Sequence, residues 1–154
     1  MTAEEYFGDW MKVIDRESLL RIMRWIQSLN PDTICPSPRN IIRAFKLYPY
    51  RNCRQIWLRQ NPYHQKGVAT GILFGNSNET PEECLSPSLQ VVKEAMIDYT
   101  IPHNRIEFDN TMESLAKQGI LLINSALTCE VNKIGSHTAI WRDFISKLLR
   151  NFSY

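Results

Sequence analysis

Two runs of the sequence place polar side chains directly after an apolar stretch of strand type. In the first, Arg59-Gln60-Asn61-Pro62-Tyr63-His64 follows Gln55-Ile56-Trp57-Leu58 and precedes a loop that ends in Gly71-Ile72-Leu73-Phe74. In the second, the apolar run Ile120–Ile123 ends in Asn124-Ser125. Amide, phenol and imidazole groups at the ends of buried strands commonly line ligand pockets. If the two strands are neighbours, these side chains converge on one site.

The size and composition of the chain fit one globular domain. It has 154 residues, of which 44% are hydrophobic and 22% charged, and its formal net charge is +2. A single core is typical of this length, and so small a charge does not by itself identify a nucleic-acid-binding protein. No run of about 18 apolar residues predicts a membrane span, and the polar N-terminus does not resemble a secretory signal. The sequence therefore predicts an intracellular, cytoplasmic protein that does not bind a membrane.

The cysteines do not predict a metal site. Cys35, Cys53, Cys84 and Cys129 are widely separated and form no CxxC pair. Zinc and iron-sulfur sites usually need such closely spaced ligands. We therefore expect no metal and no cofactor, and we interpret the four thiols as reduced.

The pattern of apolar residues and helix-capping residues predicts helices alternating with two strands. The predicted elements, in chain order, are a helix over 17–29, a helix opening at Ser37-Pro38 and running through Phe45, a strand from near Cys53, a helix over 88–99, a short helix from Asn110 to Gly119, a strand over 120–124 and a final helix over 137–149. Strands separated by helices favour a parallel sheet with helices on its faces. Only two strands are convincing, and a two-stranded sheet is stable only if helices cover it well.

The polar runs resemble motifs of the family 1 uracil-DNA glycosylases, whose water-activating and uracil-reading motifs are Gly-Gln-Asp-Pro-Tyr-His and Leu-Leu-Leu-Asn. Leu85-Ser86-Pro87-Ser88-Leu89 resembles the Pro-Ser loop of that family, and Trp141 lies in a matching helix after Ser136-His137. The resemblance covers residues from about 36 to about 149. The sequence of residues 65–71 is closest to a phage-like branch, which would place the protein in the cytoplasm of a host cell.

The resemblance implies an α/β fold, a three-layer α/β/α arrangement around a short parallel sheet. It implies one domain over residues 1–154, with an N-terminal helical segment at 1–35 and a core at 36–150. Family members continue after the Trp-containing helix with two further strands and a His-Pro-Ser motif whose His stabilises the departing uracil anion. We find no counterpart of these in the chain, and the expected sheet therefore lacks its last two strands and has an open edge.

The resemblance also implies roles for individual residues. Asn124 reads the edge of a flipped-out uracil, Phe74 stacks on the base, Tyr63 excludes the methyl group of thymine, and Gln60 completes the uracil-binding set. Asn61 stands at the position of the catalytic, water-activating Asp. The implied DNA contacts are made by His64, Ser86, Pro87, Ser88, Ser136 and His137.

Each of these residues has an ordinary structural explanation as well. Asn124 suits the end of a strand, Phe74 suits a core, and Gln60 to His64 suit an exposed turn. Ser86-Pro87-Ser88 suits the start of a helix, with Pro at its first position. The matching order of the motifs favours the glycosylase interpretation.

Two departures from the family lead us to expect impaired chemistry. An amide at Asn61 can hold a water molecule but cannot take its proton. Arg59 puts a bulky cation where the family has Gly and where the backbone would approach the ligand closely. The first hypothesis is a uracil-DNA glycosylase-like protein that binds DNA or a partner and has impaired or lost hydrolytic activity. One alternative is an active N-glycosyl hydrolase in base excision repair of DNA. The other is an interaction module whose open sheet edge pairs with another protein or a second copy.

Overall fold

The computed structural model describes residues 1–98 and 109–152, and within these ranges it contains five α-helices and four β-strands. The helices are α1 (Ala3–Phe7), α2 (Arg16–Gln27), α3 (Pro87–Asp98), α4 (Glu113–Ala116) and α5 (Thr138–Asn151). The strands are β1 (Ile34–Cys35), β2 (Gln55–Arg59), β3 (Ile120–Asn124) and β4 (Cys129–Glu130). Within the described ranges, no helix combines the length and the apolar character needed to cross a membrane.

Strands β2 and β3 form the parallel pair that positions the site. Their register runs from Gln55 opposite Ile120 to Arg59 opposite Asn124. β1 and β4 form a separate, two-residue antiparallel pair. Since parallel neighbours end at the same edge of a sheet, the polar residues that follow β2 lie beside those that follow β3.

Strand β3 is buried on both faces, which creates the layered arrangement. Leu121 and Ile123 pack into a core shared with α2 and α5, whereas Leu122 packs into a second core with Leu89 of α3 and Ala116 of α4. Successive strand side chains point to opposite faces, so the two cores lie on opposite sides of the sheet. The predicted α/β class, with helices on both faces of a short parallel sheet, is confirmed.

Helix α2 agrees with the prediction and is tied to the last helix by charge. Asp15 caps its N-terminus, accepting hydrogen bonds from the backbone N–H (2.9 Å) and hydroxyl (2.6 Å) of Ser18. Mainly because of the hydroxyl bond, the pKa of Asp15 falls to about 2. Lys147 of α5 donates to the same carboxylate at 3.2 Å. The predicted final helix is present as α5.

Some predicted elements differ from the structure. The predicted helix from Ser37 through Phe45 is instead two short 3₁₀ segments, Pro38–Asn40 and Arg43–Lys46. Tertiary contacts override the local helix pattern here, because Arg43 pairs with Glu113 and the carbonyl of Asn40 lies against Gly71.

The remaining differences concern helix boundaries and short elements. α4 is capped by Asp109 and Thr111 rather than by Asn110. No apolar pattern marks α1, which lies in the predicted N-terminal helical segment 1–35 and has a capping box between Thr2 and Glu5, and none marks the β1–β4 pair. Tyr99, at the end of the predicted 88–99 helix, lies outside the described residues.

Strand β2 is not the buried core strand that its apolar residues predict. Trp57 is 38% exposed and Leu58 is 41% exposed. In the part of the chain that the structure describes, β3 is the only strand paired with β2. The other edge of β2 therefore makes no strand-to-strand hydrogen bonds there. The exposed edge agrees with the open edge that the sequence predicts.

Candidate functional site

The segments that follow β2 and β3 are held together by backbone hydrogen bonds beyond the strands themselves. The N–H of Ser125 donates to the carbonyl of Arg59 at 2.5 Å, and the N–H of Ala126 donates to the carbonyl of Gln60 at 3.1 Å. The hydroxyl of Ser125 also donates to Gln60, at 3.1 Å. These bonds extend the parallel pairing past the last strand residues and fix Asn61 next to Asn124.

A small cavity, with a volume of about 30 Å³, lies at this edge of the sheet. Its polar lining includes Asn61, Tyr63 and Asn124, and its aromatic lining includes Phe74. The other lining residues are Pro36, Ile41, Arg59, Pro62, Ala69, Thr70, Gly71, Ile72, Leu73 and Leu127. The structure therefore brings four of the five residues predicted for uracil binding or catalysis around one hollow. The fifth, Gln60, does not line the cavity and contributes its carbonyl to the backbone pairing.

Two amides in the cavity have buried oxygen atoms without a partner. Oδ1 of Asn61 and Oδ1 of Asn124 are inaccessible to solvent and accept no hydrogen bond from any described residue. Buried polar atoms in folded proteins are nearly always paired, because an unpaired one costs about 1–3 kcal/mol. Two orphaned acceptors lining the same cavity are therefore typical of groups that bind a polar ligand.

Phe74 is held in a rarely populated backbone conformation. Its φ is 64°, in the left-handed region that costs a non-glycine residue about 1–3 kcal/mol. Two bonds hold it there: the hydroxyl of Tyr63 donates to the carbonyl of Phe74 at 3.0 Å, and the N–H of Leu73 donates to the carbonyl of Leu122 at 3.1 Å. Burial raises the pKa of Tyr63, so its hydroxyl stays protonated and able to donate. The ring of Phe74 therefore has a fixed place in the cavity wall.

A close backbone contact between Gly71 and Asn40 shapes another part of the cavity wall. Gly71 has a φ of 85°, and a Cβ atom at this position would lie 1.8 Å from the carbonyl oxygen of Asn40. Only glycine fits such a conformation in so little space. The contact joins the loop before Phe74 to the 3₁₀ segment Pro38–Asn40 and thereby closes one side of the cavity.

A wider groove adjoins the cavity and shares Arg59, Asn61 and Tyr63 with it. It has a volume of about 680 Å³, and its lining contains four of the predicted DNA-contacting residues, His64, Ser86, Pro87 and Ser88. The Pro-Ser loop is anchored by Asn76, whose Oδ1 accepts from the N–H of Ser86 (2.8 Å) and whose Nδ2 donates to its hydroxyl (2.9 Å). The groove thus connects the cavity to the loop at the start of α3.

Arg59 lies between the cavity and the groove. Its Nη1 donates to the hydroxyl of Ser88 at 3.0 Å, and its Cζ lies over the ring of Phe74, 5.1 Å from the ring centroid. Arg59 is the only residue with a formal charge in the described lining of the cavity, which contains no carboxylate. The cavity is therefore polar and cationic rather than acidic.

The two other predicted DNA contacts lie elsewhere. Neither Ser136 nor His137 lines the cavity or the groove. The hydroxyl of Ser136 accepts from the N–H of Glu130 at 2.8 Å. His137 is buried, with Nδ1 2.9 Å from the hydroxyl of Thr128 and its ring against the edge of Trp25. The ring of His137 therefore packs in the interior, away from the cavity and the groove, and its DNA contact stays a prediction from the sequence.

The burial of His137 predicts a pH-dependent stability. Burial lowers its pKa below the ordinary 6.5, although Glu130 acts in the opposite direction. Because the folded state favours the neutral ring, its contribution to stability is complete above pH 6.5 and is lost as the pH falls through the lowered pKa. We expect the free energy of unfolding, measured with urea, to decrease between pH 7.5 and pH 5, and to decrease less in His137→Gln. Equal decreases in both proteins would contradict this assignment.

No metal site is formed by the described residues. Within residues 1–98 and 109–152, no three His, Cys, Asp or Glu side chains cluster closely enough to hold a metal ion. The chemistry available in the cavity is thus hydrogen bonding by two amides, stacking on an aromatic ring, and attraction of negative charge by one guanidinium.

The sequence analysis did not predict several residues of the cavity wall. Pro36 and Ile41 come from segments without a polar motif, and Leu127 is an apolar residue that follows the second motif, so no pattern marked these three as lining residues. Thr70 and Gly71 belong to the glycine-containing loop before Phe74, and that glycine was the one available signal. Arg59 was recognised as unusual, but its contacts with Phe74 and Ser88 could not be deduced from its position in the sequence.

Comparison with known proteins identifies relatives of the chain. It is 31% identical over 157 residues to the uracil-DNA glycosylase of Fusobacterium nucleatum, and the match includes 95% of this chain and 65% of that protein. It is 32% identical over 153 residues to that of Campylobacter jejuni, over 94% of this chain and 64% of that protein. The chain thus spans less than two thirds of the length of these curated relatives. No protein-family model matches it.

Solved structures share the fold. The crystal structure of the mimivirus uracil-DNA glycosylase superposes with a TM-score of 0.66 at 21% identity, covering 97% of this chain and 61% of that one. The structure named UNG from Nitratifractor salsuginis superposes with a TM-score of 0.63 at 20% identity, covering 99% of this chain and 76% of that one. The mimivirus structure carries the same name, uracil-DNA glycosylase, as the relatives found by sequence. The chain is therefore similar in sequence to uracil-DNA glycosylases over most of its own length, and it shares the fold of the solved structures.

Proposed function

We propose that the cavity binds a uracil base flipped out of DNA and that the adjoining groove binds the DNA strand around it. The observation that carries this proposal is the convergence of Asn61, Tyr63, Phe74 and Asn124 on one cavity at the ends of two parallel strands. A base that is taken out of the stack needs an aromatic face and hydrogen bonds to its edge. The fixed ring of Phe74 and the orphaned oxygens of the two asparagines meet both needs.

Each cavity residue then has a distinct task. Asn124 donates to one atom of the uracil edge and accepts from another, because its amide carries both kinds of group. Phe74 stacks on the base, and Tyr63 stands against carbon 5, where thymine has a methyl group. Gln60, outside the cavity lining, supports it through its backbone carbonyl, which accepts a hydrogen bond from the hydroxyl of Ser125.

The groove residues bind the DNA backbone. Ser86, Pro87 and Ser88 form the loop at the start of α3, and His64 lines the same groove. Hydroxyl groups and backbone N–H groups are common phosphate contacts that position a strand without reading its sequence. Because such binding releases counterions, the affinity for single-stranded DNA should fall as salt is added.

We further propose that hydrolysis of the N-glycosidic bond is impaired. Cleavage builds positive charge on the sugar, and a carboxylate beside the sugar would stabilise that charge and accept a proton from water. The described cavity lining offers the Asn61 amide instead. In this proposal the chain acts by binding DNA or a partner, and its older role was base excision repair.

The relatives named uracil-DNA glycosylase favour the alternative of an active enzyme. The experiment that separates the two is release of free uracil from a single-stranded oligonucleotide with one uracil, combined with binding of the same strand. Binding without measurable release supports the impaired site. Release at a rate that an Asn61→Asp change does not raise would establish the active enzyme, with water held by Asn61.

The exposed edge of β2 favours a second candidate function, the docking of another β-strand. Trp57 and Leu58 are exposed beside an edge that no described strand covers. Exposed apolar edges attract other chains. A second copy of the chain is the simplest partner to test, since it needs no further component.

Gel filtration tests this second candidate. We expect the chain, at tens of micromolar, to elute at more than its mass of 18.0 kDa, and we expect Trp57→Lys with Leu58→Asp to return it to that mass. Charged side chains on an edge strand oppose pairing, which is the reason for this choice. Elution of the unchanged chain at 18.0 kDa would exclude self-association through β2.

The finer points of family and location stay predictions from the sequence. The sequence of residues 65–71 predicts a phage-like branch and hence a location in a host cytoplasm. No contact described above bears on either prediction. The division into an N-terminal segment at 1–35 and a core at 36–150 also stays a prediction.

A further inference from the structure

The guanidinium of Arg59 covers the aromatic ring on which a base would stack. Its Cζ lies 5.1 Å from the centroid of Phe74, and its Nη1 donates to the hydroxyl of Ser88 at 3.0 Å. Arg59 and Phe74 both line the cavity. The guanidinium and the ring that it contacts therefore both belong to the lining that a ligand would meet.

The register of the sheet explains why the side chain reaches this place. Arg59 is the last residue of β2 and lies opposite Asn124 in the parallel ladder. Paired residues of neighbouring strands project their side chains to the same face of a sheet. Arg59 therefore leaves the strand on the side of Asn124, towards the cavity.

A base cannot stack on the face of the ring that this guanidinium occupies. A guanidinium is flat, and it stacks on an aromatic face in much the same way as a base. The backbone of Phe74 is held at a φ of 64°, and its carbonyl accepts a hydrogen bond from the hydroxyl of Tyr63. Entry of a base therefore requires that Arg59 moves.

We propose that Arg59 lowers the affinity of the cavity for a base by competing with the base for Phe74, and that Ser88 holds it in the competing position. This inference rests on the proposed function, since it takes Phe74 to be the stacking surface. A base enters when the guanidinium leaves both Phe74 and Ser88. The side chain thus weakens the binding of free uracil. Arg59 loses its contacts with Phe74 and Ser88 when the base enters, and free uracil offers it no interaction in return.

Titration of the protein with free uracil, followed by NMR or calorimetry, tests the proposal. We expect Arg59→Ala to tighten uracil binding about 10-fold, from the usual strengths of one exposed cation–π contact and one hydrogen bond. Ser88→Ala, which leaves β2 intact, should tighten it about 3-fold, because one of the two contacts is lost. The double variant should bind as Arg59→Ala does, since Ser88 acts only through Arg59.

Arg54→Ala is the matched control, because it removes an exposed arginine next to β2 that does not line the cavity. It should leave the affinity for uracil unchanged. If the unchanged protein binds uracil and Arg59→Ala binds it equally or more weakly, the competition is overturned while the uracil pocket stands. If Arg59→Ala does not fold, Ser88→Ala decides, and an unchanged affinity there overturns the competition. If no folded variant binds uracil, both the competition and the proposed function are overturned.

Discussion

Replacement of Asn61 by Asp is expected to raise the rate of uracil release from a single-stranded oligonucleotide by about 10²- to 10⁴-fold, the usual range of a general-base contribution. Asn61 already lines the cavity with a buried, unpartnered Oδ1. Aspartate has nearly the same shape, so the substitution adds an ionisable oxygen without changing the packing. The new carboxylate can orient a water molecule, accept its proton and stabilise the positive charge on the sugar.

Asn124→Asp is the matched control for this prediction. It places the same new carboxylate at the other orphaned amide of the cavity, where the proposed task is to read the base rather than to activate water. We expect no gain in uracil release from this variant. A parent protein that already releases uracil as fast as Asn61→Asp would contradict the impaired site, and an equal gain from both variants would contradict the division of roles between the two asparagines.

Replacement of Gly71 by Ala is expected to lower the free energy of unfolding by about 4 kcal/mol or more, which is among the largest effects of single substitutions. The added Cβ would lie 1.8 Å from the carbonyl oxygen of Asn40, and this neighbour is backbone, which cannot rotate away. The φ of 85° adds about 1–2 kcal/mol of strain for any residue with a Cβ atom. Chemical denaturation followed by tryptophan fluorescence measures the change.

Gly67→Ala separates the steric clash from the backbone strain. Gly67 has a similar φ of 80°, but a Cβ atom there would have no neighbour within 4 Å. We expect a loss of only about 1–2 kcal/mol, since strain alone remains. Similar losses at both positions would show that the contact between Gly71 and Asn40 does not shape the cavity wall as described.

The sequence predicts the central elements of the fold because their apolar patterns are strong and agree with tertiary packing. β3 is an unbroken apolar run, as expected for a strand covered on both faces, and α2 and α5 bury their apolar stripes in one core. The two polar runs could be located for the same reason. Once the strands pair in parallel, residues that follow them must meet at one edge.

Other parts of the fold depend on contacts between distant residues. The 3₁₀ segments at Pro38–Asn40 and Arg43–Lys46 replace a predicted helix because Gly71 and Glu113 constrain them from elsewhere in the chain. β1 and β4 are two residues long, which is too short for any periodicity to be visible. β2 has the composition of a buried strand, and its exposure depends on what lies beside it rather than on its own residues.

The candidate site shows the same division. Asn61, Tyr63, Phe74 and Asn124 were predicted as a group from their motifs, and the structure places them around one cavity. A DNA contact was predicted for His137 from a neighbouring motif. In the structure its ring lies in the interior, hydrogen-bonded to Thr128 and packed against Trp25. The position of Arg59 over Phe74 depends on strand register and on Ser88 together, and no local pattern contains both.

The most direct test of the proposed uracil pocket is a comparison of two single-stranded oligonucleotides that differ only in carrying one uracil or one thymine. Fluorescence anisotropy measures their affinity for the unchanged protein at one salt concentration. We expect the uracil strand to bind about 10-fold more tightly or better, the usual discrimination of a pocket against one extra carbon, because Tyr63 excludes the thymine methyl group. Equal affinities for the two strands would contradict a pocket that reads uracil.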